Sequence, residues 1–271
     1  MSERPISYCT EMVRANRDGR KTNTRRVMNP QPILPADVPA WRYDGLWAEE
    51  DDGDGCHYLE ALDAEGNPTE KYYNIGECPY GNVGDVLWVR EALLCTPSTA
   101  IYREEFEDDE AYYNQILQDA EKVLYCADFE DDDALAVACF CSEWIAPSIM
   151  PRKYARDFLR ITNVRVERLQ DISAEDALAE GIEPELPPCL AKPQQFPADF
   201  ESRSKAAQEA WLYTAATGNY IAHLKVAKQL VRDYLKLWDS IYAKKGHGRK
   251  TNPWLWVIKY QRLENYEGGA K

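Results

Sequence analysis

The sequence predicts an α+β protein in which a small mixed or closed β-sheet carries flanking helices and long insertions. Three observations lead there. Strand-like segments are few, short and far apart; helix-like segments and long loops separate them; and the regular βαβ alternation of a doubly wound sheet is missing. At 271 residues, with 45% hydrophobic and 11% aromatic content, the chain can bury a substantial core.

Taken in order, Thr10 to Asp18 reads as a short helix: Thr10 can cap it, Met12 and Val13 supply apolar contacts, and Gly19 is placed to end it. "TNTRRV" (22–27) suits a short strand ended by Asn29 and Pro30. Residues 30–80, rich in Pro, Gly and Asp, read as a long irregular insertion that ends in the turn "CPYGNVGD", and "VLWVRE" (86–91) as a compact strand. Residues 95–145 read as a second insertion, exposed on one side, around the helix-compatible "AYYNQILQDAEKVL". "FLRITNVRVERL" (158–169) alternates, but its apolar phase jumps from Ile161 to Val164, which predicts a bulge near Thr162 and Asn163. "SAEDALAEGI" reads as a short helix with a capping-box-like start at Ser173 and Asp176 and a stop at Gly181. Residues 183–200 are Pro-rich. From about Tyr220 to Tyr242 apolar residues recur at helical spacing (Tyr220, Leu224, Ala227, Val231, Tyr234, Trp238, Ile241), a stripe that core packing explains. A basic loop then leads to the strand "WLWVIKYQRL", with Pro253 at a position that needs no ladder donor.

A net charge of −14 argues against a protein that coats nucleic acid by electrostatics alone. The charge is unevenly placed. Residues 104–133 hold thirteen Asp and Glu against Lys122, whereas residues 1–30 carry seven bases against three acids and residues 151–170 six against two. The basic segments either converge on one surface or form separate solvated faces. No apolar run approaches the ~20 residues that cross a bilayer, and "MSERPISYC" lacks the parts of a signal peptide, so the expectation is a cytoplasmic protein with no membrane role. Eight cysteines then read as reduced thiols. Cys56, His57, Cys78, Cys139 and Cys141 are potential metal ligands, but no C-x-x-C pair exists and the spacing fits no common zinc module; no metal site is predicted.

"GRKTN" occurs twice, at 19–23 and 248–252. Neither copy is a phosphate-binding P-loop, because an arginine separates glycine from lysine and Arg14 stands where the first glycine of the motif belongs. The second copy has Pro253 where the first has Thr24, and the repetition reads as coincidence, with a basic loop that flanks a cleft or meets a phosphate.

Four segments in order, "MVRANRDGRKTNTRR", "YGNVGDVLWVRE", "ITNVRVERLQDISAEDALAEGI" and "LWDSIYAKKGHGRKTNPWLWVIKY", resemble the ASCH domain of the PUA-like superfamily, in the larger form often encoded by prophages. The resemblance implies a single domain over 1–271, a PUA-like small β-barrel with flanking helices, and insertions at about 30–78, 95–144 and 183–215. It implies a cleft for RNA, nucleosides or modified bases. One bacterial branch removes acetyl from N4-acetylcytidine with a lysine and a threonine of a K-T-x-T motif and a glutamate on a later helix. Residue by residue, "KTNT" supplies Lys21 and Thr24, "ALAEGI" supplies Glu180, and Arg26 matches an arginine after the motif. "LWVRE" and the insertions depart from that branch.

The implied activity is an amidohydrolase acting on N4-acylated cytidine or a related modified nucleoside. Thr24 would be the nucleophile and Lys21, with its pKa lowered by burial or by Arg20, Arg25 and Arg26, its base. Glu180 sits at the negative end of its helix, an unfavourable place for a carboxylate; the competing reading is a surface glutamate among 46 acids. Residues three apart on a strand face opposite ways, so Lys21 and Thr24 share a pocket only if Lys21 still lies at the helix exit or the chain bends at Thr22 and Asn23. Trp88 and Arg90, on one face of their strand, are candidates for stacking on a base and for pairing with a carbonyl or phosphate; core packing is the competing reading for Trp88. No metal or organic cofactor is needed. Two rival readings are a non-catalytic binder of RNA or modified nucleic acid, and a protein that engages a host nucleic-acid-binding protein through acidic residues 104–133.

Overall fold

The computed structural model describes residues 1–47, 56–97, 105–118, 120–129, 143–183, 225–264 and 266. In chain order its strands are β1 (Glu3–Ser7), β2 (Asn23–Val27), β3 (Ala40–Trp47), β4 (Cys56–Leu62), β5 (Pro68–Gly76), β6 (Val86–Arg90), β7 (Leu93–Pro97), β8 (Ala120–Tyr125), β9 (Glu143–Ile145), β10 (Phe158–Arg168) and β11 (Trp254–Leu263). The helices are α1 (Thr10–Arg17), α2 (Asp109–Gln118), α3 (Ala174–Ala179) and α4, helical over 225–242.

The central sheet has the order β1-β6-β10-β11-β2. Its longest pairing is the antiparallel β10–β11 ladder, whose register shifts between Ile161 and Asn163. That shift is the predicted bulge, and it works as alternation requires: one extra residue lets Ile161, Val164 and Val166 all face the core. β11 is buried along Trp254–Ile258 because both of its faces are covered. Trp254, Trp256, Ile258 and Tyr260 join Val13, Leu59, Leu159 and Val166 on one side; Leu255 meets Leu169, Ala177, Tyr234 and Trp238 on the other. β1, which the sequence reading missed, is five residues long, contains Pro5, and is held by parallel pairing to β6. The sheet is therefore mixed. Among the described residues no pairing joins β1 to β2, so of the mixed or closed sheet expected it is the mixed, open one, and no closed barrel of the kind the family resemblance implies is formed by the described strands. The α+β class stands.

Within residues 30–80 the reading as an irregular insertion holds for 30–39 and for the turn at 77–80, but not for three stretches that form strands. β3, β4 and β5 form an antiparallel sheet whose Leu59, Tyr43 and Tyr73 pack onto the main core. Its β4–β5 turn was readable: the Asp63 carboxylate accepts the Glu65 and Asn67 amides, and Gly66 takes φ +84°. In the second predicted insertion α2 forms over the first part of the helix-compatible segment, with Tyr112, Ile116 and Leu117 buried against Leu93 and Ile145 of a three-stranded sheet ordered β8-β7-β9, whereas the end of that segment, residues 120–124, belongs to strand β8 and not to a helix. Arg17 of α1 binds buried Glu91, which leads into β7, at 2.8 Å and Asp128, just after β8, at 2.9 Å, which ties that unit to the central one.

Local readings at the helix ends mostly hold. Ser173 Oγ accepts the Asp176 amide at 3.0 Å, and Gly19 and Gly181 leave their helices at φ +73° and +96°. Thr10 does not cap α1: Cys9 occupies the N-cap, without a side-chain bond, and Thr10 is already helical. α4 buries Leu230, Tyr234 and Trp238, whereas Ile241 is 43% exposed; Tyr220 and Leu224 lie outside the described residues. So do residues 184–224, most of the predicted insertion at 183–215, together with residues 104, 119 and 130–133 of the acidic segment. Among the described residues no helix is long and apolar enough to cross a membrane.

Candidate functional site

The segment after α1 runs back between two helices. The Lys21 amide donates to Ala15 O at 2.9 Å, the Thr22 amide to Ala179 O at 2.8 Å, and Lys21 and Glu180 form an isolated bridge. Lys21 is therefore at the helix exit, before β2 begins at Asn23, and the alternation that would separate it from Thr24 does not apply. Gly181 makes this approach possible: a β-carbon there would stand 3.0 Å from Ala15 Cβ and 3.3 Å from Lys21 Cβ.

From this position Lys21 Nζ donates to Glu180 Oε2 at 2.6 Å and to the Glu180 carbonyl at 3.0 Å. The second bond satisfies one of the free carbonyls at the end of α3, where a cation is favoured. Glu180 is no surface acid: it is 5% exposed, and Lys21 3%. Burial pulls the Lys21 pKa below the ordinary lysine value; the Glu180 carboxylate opposes that shift, and the Arg26 guanidinium adds to it.

Along β2 the side chains divide between the two faces of the sheet. Thr24, 2% exposed, and Arg26 take one face. Arg26 donates to Ser7 O at 2.8 Å, and its guanidinium lies 5.4 Å from the centre of the Tyr8 ring, which also receives Lys21 Nζ at 5.5 Å. Tyr8 itself is buried, with its phenol pushed up to about 12 by burial and bonded to Tyr260 at 3.2 Å. Asn23 and Arg25 take the other face. Arg25 reaches Glu167 and Asp176 at 2.8 Å each and lies 3.5 Å from Glu180 Oε1.

β2 is an edge strand, and beside it lies a cavity of about 240 Å³. Lys21, Thr24, Arg26 and Glu180 line it together, with Tyr8 from the β1–α1 connection and Trp238 and Tyr242 from α4. Trp238 and Tyr242 stack at 4.2 Å between ring centres. The structure thus brings four of the six predicted residues to one cavity.

Trp88 and Arg90 are not there. They share a face, as alternation requires, with the Arg90 guanidinium 4.9 Å from the Trp88 ring. But Trp88 packs with Val86 and Phe158, and Arg90 donates to Ser148 O at 2.8 Å. β6 is separated from β2 by β10 and β11, three interstrand steps or roughly 14 Å. Sequence reasoning missed Tyr8 because β1 went unseen, and it read Tyr234, Trp238 and Ile241, which all line the cavity, as core alone. Arg25 was seen only as a source of charge; its alternation with Thr24 placed it on the α3 side. Among the described residues no cluster of three or more His, Cys, Asp and Glu could hold a metal ion. His57 instead bonds Tyr43 at 2.7 Å through Nδ1.

Comparison with known proteins found no matching family model, curated protein or solved structure.

Proposed function

We propose that the chain is an ASCH-type, PUA-like amidohydrolase that removes an acyl group from N4-acylated cytidine or a related modified nucleoside. One observation carries the reading: a buried lysine paired to a buried glutamate opens, with a buried threonine, onto a single aromatic-walled cavity. A buried ion pair is expensive to desolvate, and its two charges here stand at a cavity wall. The cavity, about 240 Å³, falls just under the ~300–1,000 Å³ usual for small-molecule sites and so suits one nucleoside rather than a length of polymer.

In this mechanism the planar base lies against the aromatic wall of Tyr8, Trp238 and Tyr242. Thr24 Oγ1 attacks the acyl carbonyl carbon and its proton passes to neutral Lys21. The tetrahedral oxyanion is stabilised by the Arg26 guanidinium. Collapse breaks the C–N4 bond, the leaving amine takes the proton back from the Lys21 ammonium, and water then hydrolyses the acyl-threonine. Glu180 holds Lys21 in place throughout.

The test is to incubate the purified protein, Thr24→Val and Lys21→Met with N4-acetylcytidine and follow cytidine and acetate by mass spectrometry. The expected result is turnover by the wild type, reduced at least ~100-fold in each variant. A folded wild type that forms no cytidine removes this reading, and binding of the intact nucleoside without product would make the cavity a receptor site.

A further inference from the structure

The Lys21–Glu180 pair does not stand alone. Beside it Arg25, which also contributes to the cavity lining, has a fully buried side chain that reaches Glu167 and Asp176, and Arg165 bridges the same two carboxylates at 2.5 and 2.8 Å. Three cations (Lys21, Arg25, Arg165) therefore face three anions (Glu167, Asp176, Glu180) in one continuous cluster running from β10 to the cavity. A base must be neutral to accept a proton, and loss of the Lys21 proton leaves the buried Glu180 carboxylate without the cation bonded to it.

The geometry shows where that charge goes. Glu180 Oε2 is bonded to Lys21, but Glu180 Oε1 has no hydrogen-bond partner, and neither has Arg25 Nη1, which lies 3.5 Å away. An unsatisfied acceptor and an unsatisfied donor on opposite charges face each other across a gap that a small side-chain rotation closes.

We infer that Arg25 is a positioning residue for the base: when Lys21 releases its proton to solvent through the cavity mouth, the Glu180 carboxylate turns to Arg25, so neutral Lys21 leaves no unpaired anion behind. The inference rests on the reading of Lys21 as a base and goes beyond it by naming what makes the neutral state reachable. The other groups around Lys21 do not substitute. Tyr8 is held protonated by burial, as is Tyr234 of α4; Cys9 is a thiol whose pKa burial also raises; Arg26 is a cation that lowers the Lys21 pKa but bonds the Ser7 carbonyl and not Glu180; and Tyr260 bonds Tyr8. Tyr242, on the far wall, lies beneath Lys245.

The test is NMR titration of lysine Cε in isotope-labelled protein, with the Lys21 signal assigned by its loss in Lys21→Met. It needs neither substrate nor turnover. In the wild type Lys21 should titrate below the ~10.4 of a free lysine. In Arg25→Gln its midpoint should rise by about one unit or more, so that the neutral fraction at a given lower pH falls about tenfold. Arg25→Gln leaves an excess carboxylate, so Arg25→Gln/Glu167→Gln is made beside it: with Lys21 and Arg165 facing Asp176 and Glu180 it keeps the cluster balanced, and the same rise is expected. Arg25→Lys, which keeps the charge, should restore most of the shift. An unchanged or lower Lys21 midpoint in the folded double variant overturns the inference, as does a wild-type Lys21 that titrates like a free lysine. The two ideas fail separately: absence of cytidine formation with the shift intact removes the substrate, and turnover without the shift removes the role of Arg25.

Discussion

Gly181→Ala tests whether the close passage of the chain beside α3 holds the site together. Two costs add at this position. The residue sits at φ +96°, where an L side chain is strained by ~1–2 kcal/mol. The new methyl also meets Ala15 Cβ at 3.0 Å and Lys21 Cβ at 3.3 Å, atoms fixed to backbone that no rotamer change removes, and overpacking of this kind costs ~1–3 kcal/mol. Gly66→Ala is the matched control: φ is +84° and no atom lies within 4 Å of the added carbon, so it carries the backbone cost alone. The gain from a stiffer unfolded chain is common to both variants and cancels. Gly181→Ala should therefore be the less stable by about 1–3 kcal/mol, a shift of roughly 1 M in urea midpoint for an m-value of ~1–3 kcal/mol/M. Tryptophan fluorescence is the assay, since Trp238, Trp254 and Trp256 lie in the core. Equal midpoints for the two variants would refute the idea that close packing of α3 on the Lys21 segment sets the geometry of the pair.

Lys21→Met should cost about 1–3 kcal/mol, less than the ~3–5 of a broken isolated buried pair, because Arg25 can take the freed carboxylate. Urea unfolding decides it, and a loss of 5 kcal/mol or more would rule that rescue out. Glu180→Gln leaves Lys21 buried near Arg25 and Arg26 with its folded pKa still further below the unfolded value. The folded state then holds fewer protons, so this variant should regain stability between pH 7 and 10 while Lys21→Met does not; parallel pH profiles would contradict that. His57, which burial holds down to about 4 against an ordinary ~6.5, contributes stability that is present above pH ~6.5 and lost as pH falls towards 4, about 3 kcal/mol. His57→Phe should flatten the fall in urea midpoint between pH 7 and 5, and an unaltered slope would assign the acid sensitivity to other groups.

How far the site was legible follows from how local its signals are. Lys21 and Thr24 stand three residues apart after a glycine helix stop, and Glu180 stands beside another, so their backbone settings are written in adjacent residues. The β10 bulge shows as a phase jump and the α3 cap as Ser173 with Asp176. Burial of Glu180 was not legible as such, because its neutralising partners come from 159 and 155 positions away, at Lys21 and Arg25. Trp88 and Arg90 failed for the complementary reason. Alternation told which residues share a face of β6, but only strand order tells how far that face lies from β2.

What the sequence determined by itself is the set of elements whose start, stop and inner face are fixed by neighbouring residues: α1, β2, β6, β10, α3 and β11. Pairing was decided by tertiary structure, since a strand's hydrogen bonds are completed by chain remote in sequence. That is why β1 and the sheet β3–β5 emerged only in the fold. The repeated pentapeptide shows the division within five residues. In the first copy Asn23 is extended, buried and paired with Lys259 of β11; in the second, Arg249–Thr251 form a 3₁₀ turn and Asn252 takes φ +44°. The letters are identical, and the conformations differ because β11 supplies one copy with a strand partner and α4 gives the other its Asp239 carboxylate, which accepts the Arg249 amide at 2.7 Å.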